Sequence, residues 1–345
     1  TTTTAMAAWV WSTLGKDPSF IIGGISQNLG TNAHAGQGSA FIIEADEYDR
    51  MFHGLNPDAI VVTNVEHDHP DCFPTLESYQ EAFNDFVARL RLGGFALFCA
   101  DDPLAPILAA ALPAGCTAFT YGLLGGSDYR AGGVHTNEFG GLTFLVSFRG
   151  QALTEIVLRV PGEHNVRNAL AVLALAHRMG LDEQATARAL SEFRGTQRRF
   201  ELRGEAGGVT VIDDYAHHPT EIRATLAAAR QRYPGRRIWA VWQPHTFTRI
   251  AALKDDFQHA FADADQVLVT DVFAARARED REKFSIAAMV AEMSHPSARF
   301  CPTLEKASAC LQDELRPGDV LLVLSAGDAD RISTQVLEFL EMKGI

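Results

Sequence analysis

The sequence predicts an α/β protein of two domains, each built on a mostly parallel sheet. Three observations lead there. The chain has 345 residues, too many for one typical hydrophobic core. Short apolar runs rich in β-branched residues alternate with helical stretches along most of its length, as expected of strands buried on both faces by crossover helices. Several of these runs stop abruptly in acidic, histidine or amide residues, and in open α/β sheets ligands gather where the strands end.

Composition narrows the function. Apolar residues make up 47% and charged residues 21%, as in soluble globular proteins. The net charge of −13 argues against a nucleic-acid partner, which requires a basic face. It still permits an anionic ligand held by backbone amides or a bound cation. No apolar run has the length of a membrane span and no signal peptide opens the sequence, so a cytoplasmic protein without a membrane partner is expected. Cys72, Cys99, Cys116, Cys301 and Cys310 are scattered and lack metal-ligand spacing, which fits a reducing compartment.

Taken in order, Thr1-Thr2-Thr3-Thr4 lead into Ala5-Met6-Ala7-Ala8-Trp9-Val10-Trp11, a helix apolar nearly all round and therefore buried. The threonines are either simple helix caps or the hydroxyls that follow the lysine of a phosphate-binding loop, the first of which holds Mg²⁺. Residues 23–39 read as a loop without a Gly-x-Gly-x-x-Gly fingerprint. Two buried strands follow, one running into Glu44 and one into Asn64, with Asp68, His69 and Asp71 on the next loop. If these strands adjoin, Glu44 and His69 converge on one crevice. A metal site and a buried hydrogen-bonded pair are the alternatives there. Mg²⁺ prefers oxygen ligands, and zinc, which would suit His69, finds no further ligands at suitable spacing.

Helix 76–92 places Tyr79, Phe83, Phe86, Val87 and Leu90 at core spacing. A strand at 95–99, a helix at 103–112 and a strand at 117–121 follow. Alternation at 142–148 and 156–160 predicts an antiparallel appendage. His164, Asn165 and Asn168 precede helices at 169–179 and 182–193. Asn165 is either an N-cap or an amide able to read a base edge.

The domain boundary is expected near Gly195, dividing the chain into 1–195 and 196–345. Beyond it, strands at 209–212, 238–242, 266–271, 299–300 and 320–324 alternate with helices, and helix 330–343 closes the chain. This predicts a second, doubly wound layer. Three of its strand ends carry polar clusters, at 213–218, 243–249 and 325–328. Pro219 suits the first turn of the next helix, with Glu221 favourable to its dipole. Arg198, Arg199 and Arg249 lie near these clusters against the acidic trend. They suit a grip on phosphate or carboxylate, or ion pairs such as Arg199 with Glu201.

Together these pieces resemble a family. Thr1–Thr4 before Ala5-Met6, Glu44-Ala45-Asp46-Glu47, Thr63-Asn64 with Asp68-His69 and Asp71, and His164-Asn165 with Asn168 occur in its order. Arg198-Arg199-Phe200-Glu201, Asp214-Tyr215-Ala216-His217-His218-Pro219 and Gln243-Pro244-His245 with Arg249 complete the pattern. The chain resembles the Mur ligases of peptidoglycan synthesis, over its whole length and most closely in their alanine-adding branch. The resemblance implies a central P-loop-type ATPase domain followed by a C-terminal Rossmann-like domain, without the family's N-terminal UDP-binding domain and the start of its phosphate loop. It implies ATP and Mg²⁺ as cofactors, and UDP-N-acetylmuramate and L-alanine as substrates joined through an acyl phosphate. The metal residues implied are Thr1, Glu44 and His69. Those for the nucleotide are Thr1, Thr2, Asn64, His164, Asn165, Asn168 and Arg199. Asp214, His217, His218 and Arg249 are implied for the chemistry and the amino acid. Attachment of a preformed tripeptide, or nucleotide binding without turnover, are the competing expectations, the latter for the chain as it stands. Two departures from the family pattern bear on the substrate. No lysine lies between Asp71 and Arg89, where several relatives carry a carbamylated one, and Thr246 replaces an arginine common in the alanine-adding branch.

Overall fold

The computed structural model describes residues 1–273 and 284–343, which form two compact units, Thr1–Thr196 and Gln197–Ile345. The first unit begins with α1 (Thr2–Thr13), β1 (Ser19–Ile21), β2 (Ala33–His34), β3 (Phe41–Ile43), a 3₁₀ turn (Tyr48–Gly54) and β4 (Ala59–Val62). It continues through α2 (Leu76–Val87), β5 (Phe95–Cys99), α3 (Ala105–Ala110), β6 (Thr117–Gly122), β7 (Tyr129–Thr136), β8 (Leu142–Phe148), β9 (Gln151–Val157), α4 (Glu163–Arg178) and α5 (Glu183–Ser191).

Its main sheet has the order β4-β5-β6-β7-β8-β9. Pairing is parallel from β4 to β7 and antiparallel from β7 to β9. The antiparallel appendage is therefore present, with one more strand than the alternation showed. Successive strand residues point to opposite faces. Leu97 and Cys99 of β5 join the core of α1, α4 and α5, whereas Ala96 and Phe98 join Tyr79, Phe86 and Val87 of α2. Helix α1 is buried at Ala5, Met6, Ala7, Ala8, Val10 and Trp11, as its unbroken apolar surface predicts.

Two readings left open by the sequence are decided in this unit. Strand β3 does not pair with β4: it lies parallel to β1 in a small sheet ordered β2-β1-β3, while β4 borders β5. The condition under which adjoining strands would bring Glu44 and His69 together is therefore not met, because each strand joins other partners. Asn165 is not an N-cap either. Gly162 takes that position with φ 92, a conformation that favours glycine, and α4 starts six residues before the predicted 169.

The second unit comprises β10 (Glu201–Ala206), β11 (Val209–Asp214), α6 (Pro219–Arg232), β12 (Ile238–Gln243), α7 (Phe247–Ala252) and α8 (Lys254–Gln258). β13 (Gln266–Val269), α9 (Ile286–Ala291), β14 (Ala298–Phe300), α10 (Leu304–Glu314), β15 (Val320–Ser325) and α11 (Asp330–Met342) complete it. The sheet order is β10-β11-β15-β12-β13-β14, parallel except for β10. One face packs on Ile222 and Leu226 of α6, Ile250 of α7 and Met289 of α9, the other on Leu311 of α10 and Ile332 and Val336 of α11. Helices on both faces make it doubly wound. The chain leaves β11 and β12 towards one face and β15, between them, towards the other. This is the topological switch at which α/β sheets bind ligands. Among the described residues, no helix is long and apolar enough to cross a membrane, and all five cysteines are free.

Candidate functional site

In the first unit, chemistry gathers at the start of α1. The Thr1 hydroxyl donates to Glu44 Oε1 at 2.6 Å, and the backbone N–H of Gly23 donates to Glu44 Oε2 at 2.7 Å. A Cβ at position 23 would stand 2.6 Å from Glu44 Oε1, so only glycine leaves the carboxylate where it is. Thr1 and Glu44, 43 residues apart, thus meet as two hard oxygen donors. His69 occupies a left-handed turn with φ 54. Its Nε2 lies 3.3 Å from Glu47 and 3.7 Å from Asp68, and its ring meets Tyr48 edge-on at 5.0 Å. Asn64 is exposed just beyond β4 and accepts from Thr63 at 3.4 Å. Thr2 is half-buried in the first turn of α1. Among the described residues, no three His, Cys, Asp or Glu side chains group as a ready-made metal site.

A second feature joins α1 to α4. Thr3 Oγ1 donates to Asn168 Oδ1 at 2.9 Å, Asn168 Nδ2 donates to Asn165 Oδ1 at 3.2 Å, and Asn165 Nδ2 donates to the Pro161 carbonyl at 2.7 Å. Asn165 and Asn168 share a helix face because they are three residues apart. His164, beside them, is half-buried. The part played by Thr3 has no signal in the sequence, since its partner is 165 residues away.

In the second unit the three polar clusters stand at the carboxyl ends of the adjacent strands β11, β15 and β12. Asp214 is buried, accepting from Phe200 N at 2.8 Å and from Ala216 N at 2.7 Å. Burial pushes its carboxyl up to about 6, against the opposing Arg199 charge and these N–H donors. It fixes the backbone around Arg199 and His217. His218 caps α6, its Nδ1 accepting from Thr220 N at 3.3 Å, with Pro219 in the first turn. Gln243 Oε1 accepts from Ser325 Oγ at 2.7 Å, Asp328 N at 3.0 Å and Ala329 N at 3.1 Å. Arg249 is buried, and its Nη1 donates to His245 Nδ1 at 3.0 Å.

The partner of Arg199 differs from expectation. Its Nη1 lies 3.5 Å from Glu221, and its guanidinium covers the Tyr215 ring at 5.0 Å. Glu201 instead accepts from the Arg198 backbone at 2.8 Å. Glu221 Oε2 also accepts from His217 N at 3.0 Å and His218 N at 3.2 Å. Its spacing from His218 matches a capping box, the signal that could have found it. His217 Nδ1 sits 2.9 Å from the Tyr215 carbonyl, an acceptor only. That nitrogen therefore carries a proton and donates it to the carbonyl.

Glu221 gives a pH prediction. Burial alone would raise its pKa, but His217, Arg199 and the two N–H donors outweigh it and bring it down to about 2, from 4.5. A carboxyl depressed in the folded state adds stability above its unfolded pKa and loses it as pH falls towards the folded one. The side chain is 37% exposed, so after solvent screening about 1 to 2 kcal/mol is expected. This contribution should fade between about pH 4.5 and 2. Denaturant titrations of the parent and Glu221→Gln across that range should converge as pH falls; a gap that stays constant would refute the assignment.

Fold and clusters together define a two-unit α/β protein with hydroxyl, carboxylate, amide and arginine groups at strand ends and helix starts. Residues 1–176 match the family model of the Mur ligase middle domain, and residues 198–327 match that of the Mur ligase, glutamate ligase domain. The UDP-N-acetylmuramate–L-alanine ligase of Roseiflexus sp. (strain RS-1) is 40% identical over 362 residues, covering 99% of this chain and 76% of that protein. That of Desulforamulus reducens is 40% identical over 346 residues, covering 99% and 74%. The crystal structure of UDP-N-acetylmuramate-alanine ligase MurC from Thermotoga maritima superposes with a TM-score of 0.80 at 29% identity, covering 99% of this chain and 73% of that one. The chain belongs to the Mur ligase family.

Proposed function

We propose that this protein joins L-alanine to UDP-N-acetylmuramate in an ATP-dependent, amide-forming step of peptidoglycan precursor synthesis. The observation that supports it most is the Thr1–Glu44 pair at the start of α1, hard oxygens beside a helix end that favours phosphate. The likeness to relatives named for this reaction at 40% identity agrees.

The donor set fits Mg²⁺, which takes one or two protein oxygens and completes its shell with water and substrate phosphates. Thr1 and Glu44 would hold it, and Gly23 leaves the carboxylate its room. His69 would act through Glu47 and Asp68, whose oxygens suit a hard cation better than its own ring. Bound Mg²⁺ would neutralise charge on the phosphoryl group being transferred. The Asn165–Asn168 pair, with His164 adjacent, is assigned to the adenine, and Thr2, Asn64 and Arg199 to the rest of the nucleotide.

Phosphoryl transfer turns the substrate carboxylate into an acyl phosphate. The alanine amine then attacks the carbonyl carbon, and phosphate leaves with the C–O bond electrons. Arg249 would hold the alanine carboxylate through its charge-assisted donors. His217 is assigned to the incoming amine, and the departing phosphate takes the proton the amine loses. Asp214 and His218 hold this segment in shape, one through backbone N–H groups and the other as a helix cap.

ADP release by the protein expressed from its complete gene tests the reading. With UDP-N-acetylmuramate, ATP and Mg²⁺ present, release should depend on L-alanine. Release only with a preformed tripeptide would transfer the protein to a recycling role. No release with any amine would leave a nucleotide-binding protein without turnover.

A further inference from the structure

Arg249 is 3% exposed, and its hold on a substrate depends on where its guanidinium is aimed. It meets His245, four residues earlier in the chain, with Nη1 and Nδ1 3.0 Å apart. A guanidinium only donates. His245 Nδ1 must therefore present its lone pair, which leaves the ring neutral with its proton on Nε2.

The ring of His245 is itself located from two sides. It lies nearly parallel to Phe273, at 5.9 Å and 14°, and it meets His217 at 5.9 Å and 61°. Phe273 is fixed through its backbone: its N–H donates to the Pro244 carbonyl at 2.8 Å, and its carbonyl accepts from Thr246 N at 3.3 Å. Its ring also fills the space over Gly327, where a Cβ would come within 2.5 Å of it.

Between His245 and α7 the chain turns through Thr246, at φ 62 and ψ 135. A β-branched residue rarely adopts positive φ, and such strain persists only where the surroundings over-determine it. Here the turn brings His245 and Arg249 face to face at the end of β12.

We propose that His245 is a positioning residue that aims Arg249 at the carboxylate of the incoming amino acid, with Phe273 setting the plane of the imidazole. His245 accepts one of the five N–H donors of Arg249 and so fixes the orientation of the planar guanidinium. The inference rests on the assignment of Arg249 to the amino-acid carboxylate.

The test separates the two. In the protein expressed from its complete gene, KM for L-alanine and for ATP and kcat are measured in His245→Ala, His245→Asn and Arg249→Ala. Misaiming a binding group by about 1 Å can cost up to roughly 100-fold. The alanine variant at 245 should therefore raise KM for L-alanine roughly 10- to 100-fold, with kcat and KM for ATP changed much less. The conservative variant His245→Asn is expected to restore KM to within about threefold, because the amide Oδ1 stands where Nδ1 stood and accepts the same donor. An unchanged KM in His245→Ala, an equal loss in both 245 variants, or a parallel rise in KM for ATP would overturn the proposal. Should His245→Ala fail to fold, His245→Asn decides: parental KM supports the proposal and a raised KM overturns it. If Arg249→Ala leaves KM for L-alanine unaltered, the assignment of Arg249 has failed instead.

Discussion

Glu44→Gln is expected to lower turnover about 100-fold, about 3 kcal/mol of transition-state stabilisation, and to shift the Mg²⁺ dependence to higher concentration. Glu44 Oε1 accepts from the Thr1 hydroxyl and Oε2 from the Gly23 N–H. Glutamine keeps one acceptor and turns an NH₂ towards the other donor, so the side chain must either lose a hydrogen bond or rotate. It also removes the negative charge that a divalent cation needs beside the phosphates. The Glu44 side chain is 28% exposed, so little change in melting temperature should accompany the loss. Gly23→Ala should act in the same way with Glu44 intact, because the new Cβ would stand 2.6 Å from Oε1 and push the carboxylate out of place. Metal-activation curves for the parent and both variants check this. Parental turnover in Glu44→Gln at both limiting and saturating Mg²⁺ would remove Glu44 from the metal site.

The features legible in the sequence are those that a local pattern encodes. The strand at Phe95–Cys99 stands out because a run buried on both faces is apolar throughout. Helix α1 stands out because it has no polar face to misread. The strand ends are visible because apolar runs stop where polar groups begin. What escapes depends on distance or on weak pattern. Strand β10 is polar and partly exposed, an edge strand paired only to β11, so no burial alternation marks it. The first turn of α4 reads as loop because Glu163, His164 and Asn165 are polar, yet the glycine before them starts the helix. Arg199 and Glu221 are 22 residues apart, and only the closeness of the junction segment to the start of α6 pairs them. Candidate site residues can be named from the chain. Their partners, including Gly23 under Glu44 and Thr3 on Asn168, require the fold.

The second large effect is expected at Gln243. This side chain ends β12, is 5% exposed, and serves as acceptor for three donors, one from the last residue of β15 and two from the segment after it. Its Nε2 also donates to Asp328 at 2.9 Å. Two of the accepted bonds come from Asp328 N and Ala329 N, at the entrance to α11, and Ala329 offers no side-chain cap of its own. Gln243 thus caps that helix from a neighbouring strand. Truncation to alanine would strand buried donors and open a cavity, and each buried group left unsatisfied costs about 1 to 3 kcal/mol. A loss of about 3 to 5 kcal/mol is expected, or a melting temperature lower by roughly 10 °C. Function should suffer as well. Arg198 Nη2 donates to the Ser325 carbonyl at 2.6 Å and the Gly327 carbonyl at 3.0 Å, so a loosened loop also frees the segment that carries Arg199. KM for ATP should therefore rise even at temperatures where Gln243→Ala remains folded. Gln243→Glu separates the two effects: it keeps an acceptor for the helix entrance but sets a carboxylate against Asp328, and it should fall between parent and alanine variant. A melting temperature for Gln243→Ala within about 2 °C of the parent would mean that water replaces the lost acceptor and that the cap does not depend on β12.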